Sequence, residues 1–214
     1  MRVKWLGHSS FLITADDGTR IITDPFGVYP GLSYQPIDEA ADIVVVTHEH
    51  GDHIGAKVKG NPKLVKGAGK KTVDGIEFKG LETHHDASKG RERGPNTVFC
   101  FTVDGLRLCH LGDLGHELSA AQVAEIGHVD VLMIPVGGFY TVDAVQATRI
   151  CDQIGPAVVV PMHYRTEKCA FPISGVDEFL KGKSAIRRLD SSEVELRSGD
   201  LPEATEILVL KHAL

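Results

Sequence analysis

The chain predicts an α/β fold with sheets covered by helices. Two observations lead there: the first half reads as a succession of short strands, and the second half alternates buried strands with helical segments. The length, 214 residues, suits a single domain over 1–214 with a sizeable core.

The elements follow in order. Met1 to His8 reads as an edge strand. Phe11 to Thr14 and Arg20 to Thr23 flank Asp16-Asp17-Gly18, a hairpin signal. Further strands are expected at 43–47, 76–82, 97–103 and 106–111. Asp104-Gly105 is a favoured two-residue turn between the last two, and counting back from it sets Cys100 opposite Cys109. Ser119-Ala120-Ala121-Gln122 resembles a capping box opening a short helix to about Ile126. Val131 to Val136 reads as a buried strand. Thr141 to Ile154 has helical apolar spacing at Val142, Val145, Thr148 and Ile150, and Gly155-Pro156 stops it. Ala157 to Val160 is another buried strand, Val176 to Leu180 a short helix, and strands follow near 185–190 and 205–210.

Hydrophobic residues make up 42% and charged residues 24%, as in ordinary globular chains. The formal net charge of -6 provides no global basic field for nucleic acid. No long apolar stretch marks a signal peptide or membrane span, so the cytoplasm is the expected location. Cys100, Cys109, Cys151 and Cys169 form no Cys-x-x-Cys pair, and reduced thiols are expected in that compartment.

Chemistry concentrates in Thr47-His48-Glu49-His50-Gly51-Asp52-His53, directly after the strand-like run Ile43 to Val46. Imidazole and carboxylate are ligands that zinc and similar divalent metals prefer. A solvated polar loop accounts for one or two such residues, not for His-x-His-x-Asp-His. Three more strands end in ligand types: His84-His85 after the strand from Ile76, Asp113 after Arg107 to Leu111, and His163 after the strand from Ala157. Strand ends that meet at one sheet edge would bring these side chains together, and α/β sheets usually place sites there.

Nearly the whole chain then resembles a metallo-β-lactamase-fold metal-dependent hydrolase. The segments carrying the resemblance are Gly7-His8-Ser9-Ser10-Phe11, Thr23-Asp24-Pro25-Phe26, the His48 to His53 motif, His85-Asp86, Gly112-Asp113 and Pro161-Met162-His163-Tyr164. They are closer to the branch with L-ascorbate-6-phosphate lactonase and N-acylphosphatidylethanolamine phospholipase D than to true β-lactamases. The resemblance implies a four-layer αββα sandwich with two divalent metal ions, zinc above all and manganese or iron(II) as alternatives. It implies that His48, His50 and His85 hold one ion, that Asp52, His53 and His163 hold the other, and that Asp113 bridges them. The resemblance also prefers His85 over His84, because His85 directly precedes Asp86 as the branch's ligand does.

A metal-bound hydroxide would attack an acyl or phosphoryl centre, and Asp52 would serve as ligand or as the catalytic group that orients it. Asp24, His8 and His110 are candidates for supporting the ligands. Arg93 and Lys89, in a Gly-rich basic loop, and Tyr140 and Tyr164 are candidates for substrate contact. The leading reading is hydrolysis of a small ester, lactone or phosphodiester, with an anionic small molecule as partner. A metal-dependent nuclease and a mononuclear iron oxidoreductase, such as a persulfide dioxygenase, are the competing classes. Nothing in the sequence fixes the oligomeric state.

Overall fold

The computed structural model describes residues 1–214. Its first nine strands are β1 (Arg2–Gly7), β2 (Ser10–Thr14), β3 (Arg20–Thr23), β4 (Ile43–Val46), β5 (Lys63–Lys66), β6 (Gly69–Val73), β7 (Ile76–His84), β8 (Pro95–Val103) and β9 (Leu106–His110). There follow α1 (Ala120–Ile126), β10 (Val131–Pro135), α2 (Ala144–Ile154), β11 (Val158–Met162) and α3 (Val176–Leu180). Three short strands close the chain: β12 (Ile186–Arg188), β13 (Glu193–Glu195) and β14 (Glu206–Val209). They make two sheets, one ordered β13-β1-β2-β3-β4-β5 and the other β12-β14-β11-β10-β9-β8-β7-β6.

Alternation along the strands explains how the sheets stack. Val3, Trp5, Phe11, Ile13, Ile21, Ile43 and Val45 face a 47-residue core shared with the second sheet. Their neighbours Leu6, Leu12, Ile22, Val44 and Val46 join a second cluster of 8 residues on the opposite face, closed by Phe26, Ile37 and Ala41. Both faces of β4 are therefore covered, which is why Ile43 to Val46 reads as an unbroken apolar run. That outer cover is chain without helix, drawn largely from the 24–42 segment. The helices serve the other sheet. Each connects parallel strands that progress in one direction across it, from β9 to β10 to β11 and on to β12, so right-handed crossovers put all three on one face.

The helix ends follow local chemistry. Ser119 caps α1 and forms the reciprocal capping box with Gln122. The second helix begins at Ala144, not at Thr141, because Asp143 accepts hydrogen bonds from the N–H groups of Val145 and Gln146, both at 2.9 Å.

A further expectation changes, and three strands appear that the sequence did not announce, β5, β6 and β13. The N-terminal strand is not an edge: β13 pairs outside it, with Val3 opposite Val194. Only one apolar residue, Val194, separates Glu193 from Glu195, so this three-residue strand has almost no sequence signal. The edges are β13 and β5 in one sheet and β12 and β6 in the other; β5 and β6 are rich in lysine, and only Val65 is buried in β5. Charged side chains on such edges discourage pairing with other chains, and they also hide the strands from hydrophobic periodicity.

Cys100 and Cys109 face each other in register, with their sulfurs 3.5 Å apart, and all four cysteines are free. Thiol titration under denaturing, non-reducing conditions is expected to find four thiols per chain; two would show that this pair is oxidised.

Candidate metal centre

Strand direction brings the ligand types together. The strands β3 and β4 are parallel, as are β9, β10 and β11, while β7 runs with β9 because β8 is antiparallel to both. Their C-terminal ends therefore lie at one edge of the sandwich, and each is followed by site residues: Asp24, Thr47 to His53, His85, Asp113 and His163.

Asp113 is the hub. Its Oδ2 lies 3.1 Å from His85 Nε2, 3.2 Å from His163 Nε2 and 4.0 Å from His48 Nε2, and its Oδ1 lies 3.1 Å from His53 Nε2. Two sets flank it. His48, His50 and His85 offer ligand atoms within 4.8 Å of one another, and so do His8, Asp52, His53 and His163. His48 Nε2, His53 Nε2 and Asp113 Oδ1 are buried without a well-directed hydrogen bond. Burying so many unsatisfied nitrogen and oxygen atoms is costly, and divalent cations would satisfy them together. The residues therefore fit a metal centre.

The surrounding shell holds these rings in place. Asp24 is fully buried and accepts hydrogen bonds from His110 Nε2 at 2.8 Å and from the Thr47 N–H at 2.8 Å, and its Oδ2 lies 3.1 Å from His53 Nδ1. That is the carboxylate–histidine arrangement that fixes a ligand's tautomer. Thr47 Oγ1, 3.0 Å from His48 Nδ1, joins the same carboxylate to a second ligand ring. His85 Nδ1 lies 3.1 Å from the carbonyl of Tyr140, whereas His84 turns away, its ring 5.7 Å from that of His116. His8 Nε2 approaches Asp52 Oδ2 at 3.3 Å.

Electrostatics follow from this crowding. Burial would push the Asp113 carboxyl up, but His163 and His53 hold it well below its ordinary range. Burial likewise opposes Asp24, and His53 and His110 outweigh it and hold it low. In return, Asp113 and Asp24 raise His53 against the cost of burial, and Asp113 raises His85 in the same way. Where no carboxylate prevails, burial wins: His48 falls to about 3 and His8 to about 4, each also repelled by a neighbouring imidazole.

A cavity of about 220 Å³ opens onto His50, Asp52, His85, Asp113 and His163. Its other lining residues are Tyr29, Arg93, Tyr140 and Phe171. Two of the substrate-contact expectations do not meet it. Tyr164 is buried with its ring 5.1 Å from Trp5, and Lys89 is exposed on the outer turn of its loop. The sequence reading missed Tyr29 and Phe171, whose loops carry no periodicity or motif. Asp86 was also missed as a support: its carboxylate accepts backbone hydrogen bonds from Ser88, Gly90, Glu92 and Arg93. Those four donors outweigh the cost of burial and bring its carboxyl down to about 2.

Two packed sheets with a His/Asp cluster at one edge define a metal-dependent hydrolase of the metallo-β-lactamase superfamily; residues 2–163 match the family described as "Beta-lactamase superfamily domain". Within it the chain belongs to the family of UPF0173 metal-dependent hydrolases. The member from Methanoculleus marisnigri is 33% identical, covering 92% of this chain and 94% of its own. The member from Hyperthermus butylicus is 29% identical over 93% of this chain and 97% of its own. A crystal structure from Thermotoga maritima, of a protein assigned to the metallo-beta-lactamase superfamily, is 37% identical and aligns with a TM-score of 0.81, covering 98% of this chain and 97% of that one. No helix here is long and apolar enough to cross a membrane.

Two outcomes follow. Asp24→Asn should weaken divalent-metal affinity by about 10–100-fold, read by competition with a chelator while circular dichroism stays native. Metal uptake should also release protons. Asp113 and Asp24 raise His53 well above the ordinary imidazole range, whereas a ligand imidazole must be neutral, so apparent affinity should keep climbing as pH rises beyond that range and fall on acidification. Zinc titration in buffers of different ionisation enthalpy measures this; pH-independent affinity without proton release would contradict it.

Proposed function

We propose that this hydrolase works with two divalent ions, zinc by its histidine-rich donor set, on small esters, lactones or phosphodiesters that carry an anionic group. One observation carries the reading: a single carboxylate, Asp113, lies between two separate ligand sets. His48, His50 and His85 would hold one ion, Asp52, His53 and His163 the other, and Asp113 would touch both. Ions bound there supply an activated water near neutral pH and positive charge for a developing oxyanion.

The remaining steps belong to side chains. Burial works against the Asp52 carboxyl, yet the hydrogen bond from His8 and the proximity of His53 bring it down to about 2. A carboxylate that acidic is ionised throughout the neutral range, so Asp52 acts as ligand and hydrogen-bond acceptor and not as a proton store. Arg93 lies beside the metal cavity, its guanidinium 5.7 Å from the centre of the Tyr140 ring. It also lines an adjoining cavity of about 540 Å³ that contains Lys66. A planar guanidinium at this junction suits a phosphate or carboxylate on the substrate.

The test is turnover by zinc-loaded protein on a panel of lactones, thioesters, phosphodiesters and RNA. Arg93→Ala should raise KM about tenfold or more for anionic substrates and leave neutral ones within about twofold. Equal effects on both remove the anion clamp. Cleavage confined to RNA, or oxygen uptake with stoichiometric iron and no hydrolysis, would overturn the reading.

A further inference from the structure

We propose that the cavity over the metal centre is an aryl pocket, in which Tyr29, Tyr140 and Phe171 clasp one aromatic ring of the substrate beside the bond to be cleaved. The identity of that bond rests on the function proposed above; the aryl preference rests on the rings themselves.

The three rings come from loops far apart in sequence and meet at one place. Phe171 is central, with Tyr29 edge-on at 6.1 Å and Tyr140 edge-on at 5.7 Å. All three are only partly buried, and all line the cavity that also opens onto Asp52, His85, Asp113 and His163. An aromatic face or edge offered there would complete the same edge-to-face pattern that the side chains already form with one another. The cavity has the size for it. A dry cavity of about 150 Å³ accepts benzene, and this one measures about 220 Å³.

The rings are also seated. A Cβ on Gly51 would come within 3.0 Å of the Tyr29 ring, and one on Gly31, where φ is +92°, would come within 2.7 Å of Phe171. Tyr29 and Phe171 thus lie flush against backbone that bears no side chain, one of these glycines standing inside the ligand motif itself. Apolar surface continues outward from the same loops. Val28 is 99% exposed beside Tyr29, and Phe139 is 64% exposed with its ring 4.8 Å from Tyr140. Ile54, directly after His53, adds to this margin: its loop touches that of Val28 through the close approach of Gly55 to Gly27. Exposed apolar side chains on the loops that carry the cavity-lining rings favour the approach of an apolar group.

Binding of non-hydrolysable anions to the zinc-loaded protein tests this without turnover. Phenylphosphonate is expected to bind at least about tenfold tighter than methylphosphonate by calorimetry. Phe171→Ala should bring that ratio below about threefold while zinc content and methylphosphonate affinity stay unchanged. Phe171→Leu, which preserves apolar bulk in case the alanine variant unfolds, should also lower the ratio. A ratio that survives in the folded variants overturns the aryl pocket. Equal affinities on the unaltered protein, including no measurable binding of either anion, overturn it too, and leave the hydrolase reading standing because that is judged on turnover.

Discussion

The site depends on the burial of one carboxylate. Asp113 is 1% exposed, and an anion withdrawn from water to that degree must be compensated locally or it destabilises the fold. His48, His53, His85 and His163 stand around it, and His53 and His85, both raised by it, compensate it with protons when no cation is bound. A divalent cation would take over that compensation, and the protons on those two rings would leave. The carboxylate's position is fixed from behind: the Asp113 N–H donates to Asn96, and Gly112 passes so close to Asn96 and Thr47 that a Cβ there would come within 2.6 Å of both.

Holding such a cluster costs backbone strain. His8, Asp24 and His163 all adopt left-handed backbone, with φ of 51°, 40° and 48°. Non-glycine residues in that region cost on the order of 1–3 kcal/mol each, and they persist only where surrounding structure over-determines them. Here the sheets do so. Asp24 is tied by its N–H to Val45, and His163 by its N–H to the His8 carbonyl, which also accepts from the Trp5 indole. The strained residues thus lock one another across strands of both sheets, and a 47-residue apolar core offsets the cost.

What the sequence made legible follows from the same physics. Ligand types crowded at strand ends are visible because local spacing and strand length set them: His48 to His53 after β4, Asp113 after β9 and His163 after β11 all follow buried runs whose periodicity is plain. The capping box at Ser119 is local too, whereas the one at Asp143 goes unread and the apolar spacing starts the second helix at Thr141. The unreadable parts depend on contacts across long separations. The strand β13 exists because Val194 returns to Val3, and Lys63 to Lys66 is a strand because Val65 alone turns inward. Tyr29 and Phe171 meet over more than half the chain, and no local pattern announces a meeting of that kind.

The division has a chemical meaning. Strand ends are rigid, so the residues that fix the reaction class stand on them, where sheet geometry sets their mutual distances. Arg93, Tyr29, Tyr140 and Phe171 stand on loops, and the loop of Arg93 is stiffened by a device of its own. In the 86–93 turn the device is the Asp86 carboxylate, which gathers four backbone N–H groups and so fixes where the Arg93 backbone enters the cavity wall. Since Asp86 follows His85 directly, a single dipeptide couples the His/Asp cluster to the wall of the cavity above it. Loop substitutions that respect this carboxylate can change which molecule is held without moving a ligand. Loss of the carboxylate would disturb both, because the turn it organises starts from the ligand histidine itself.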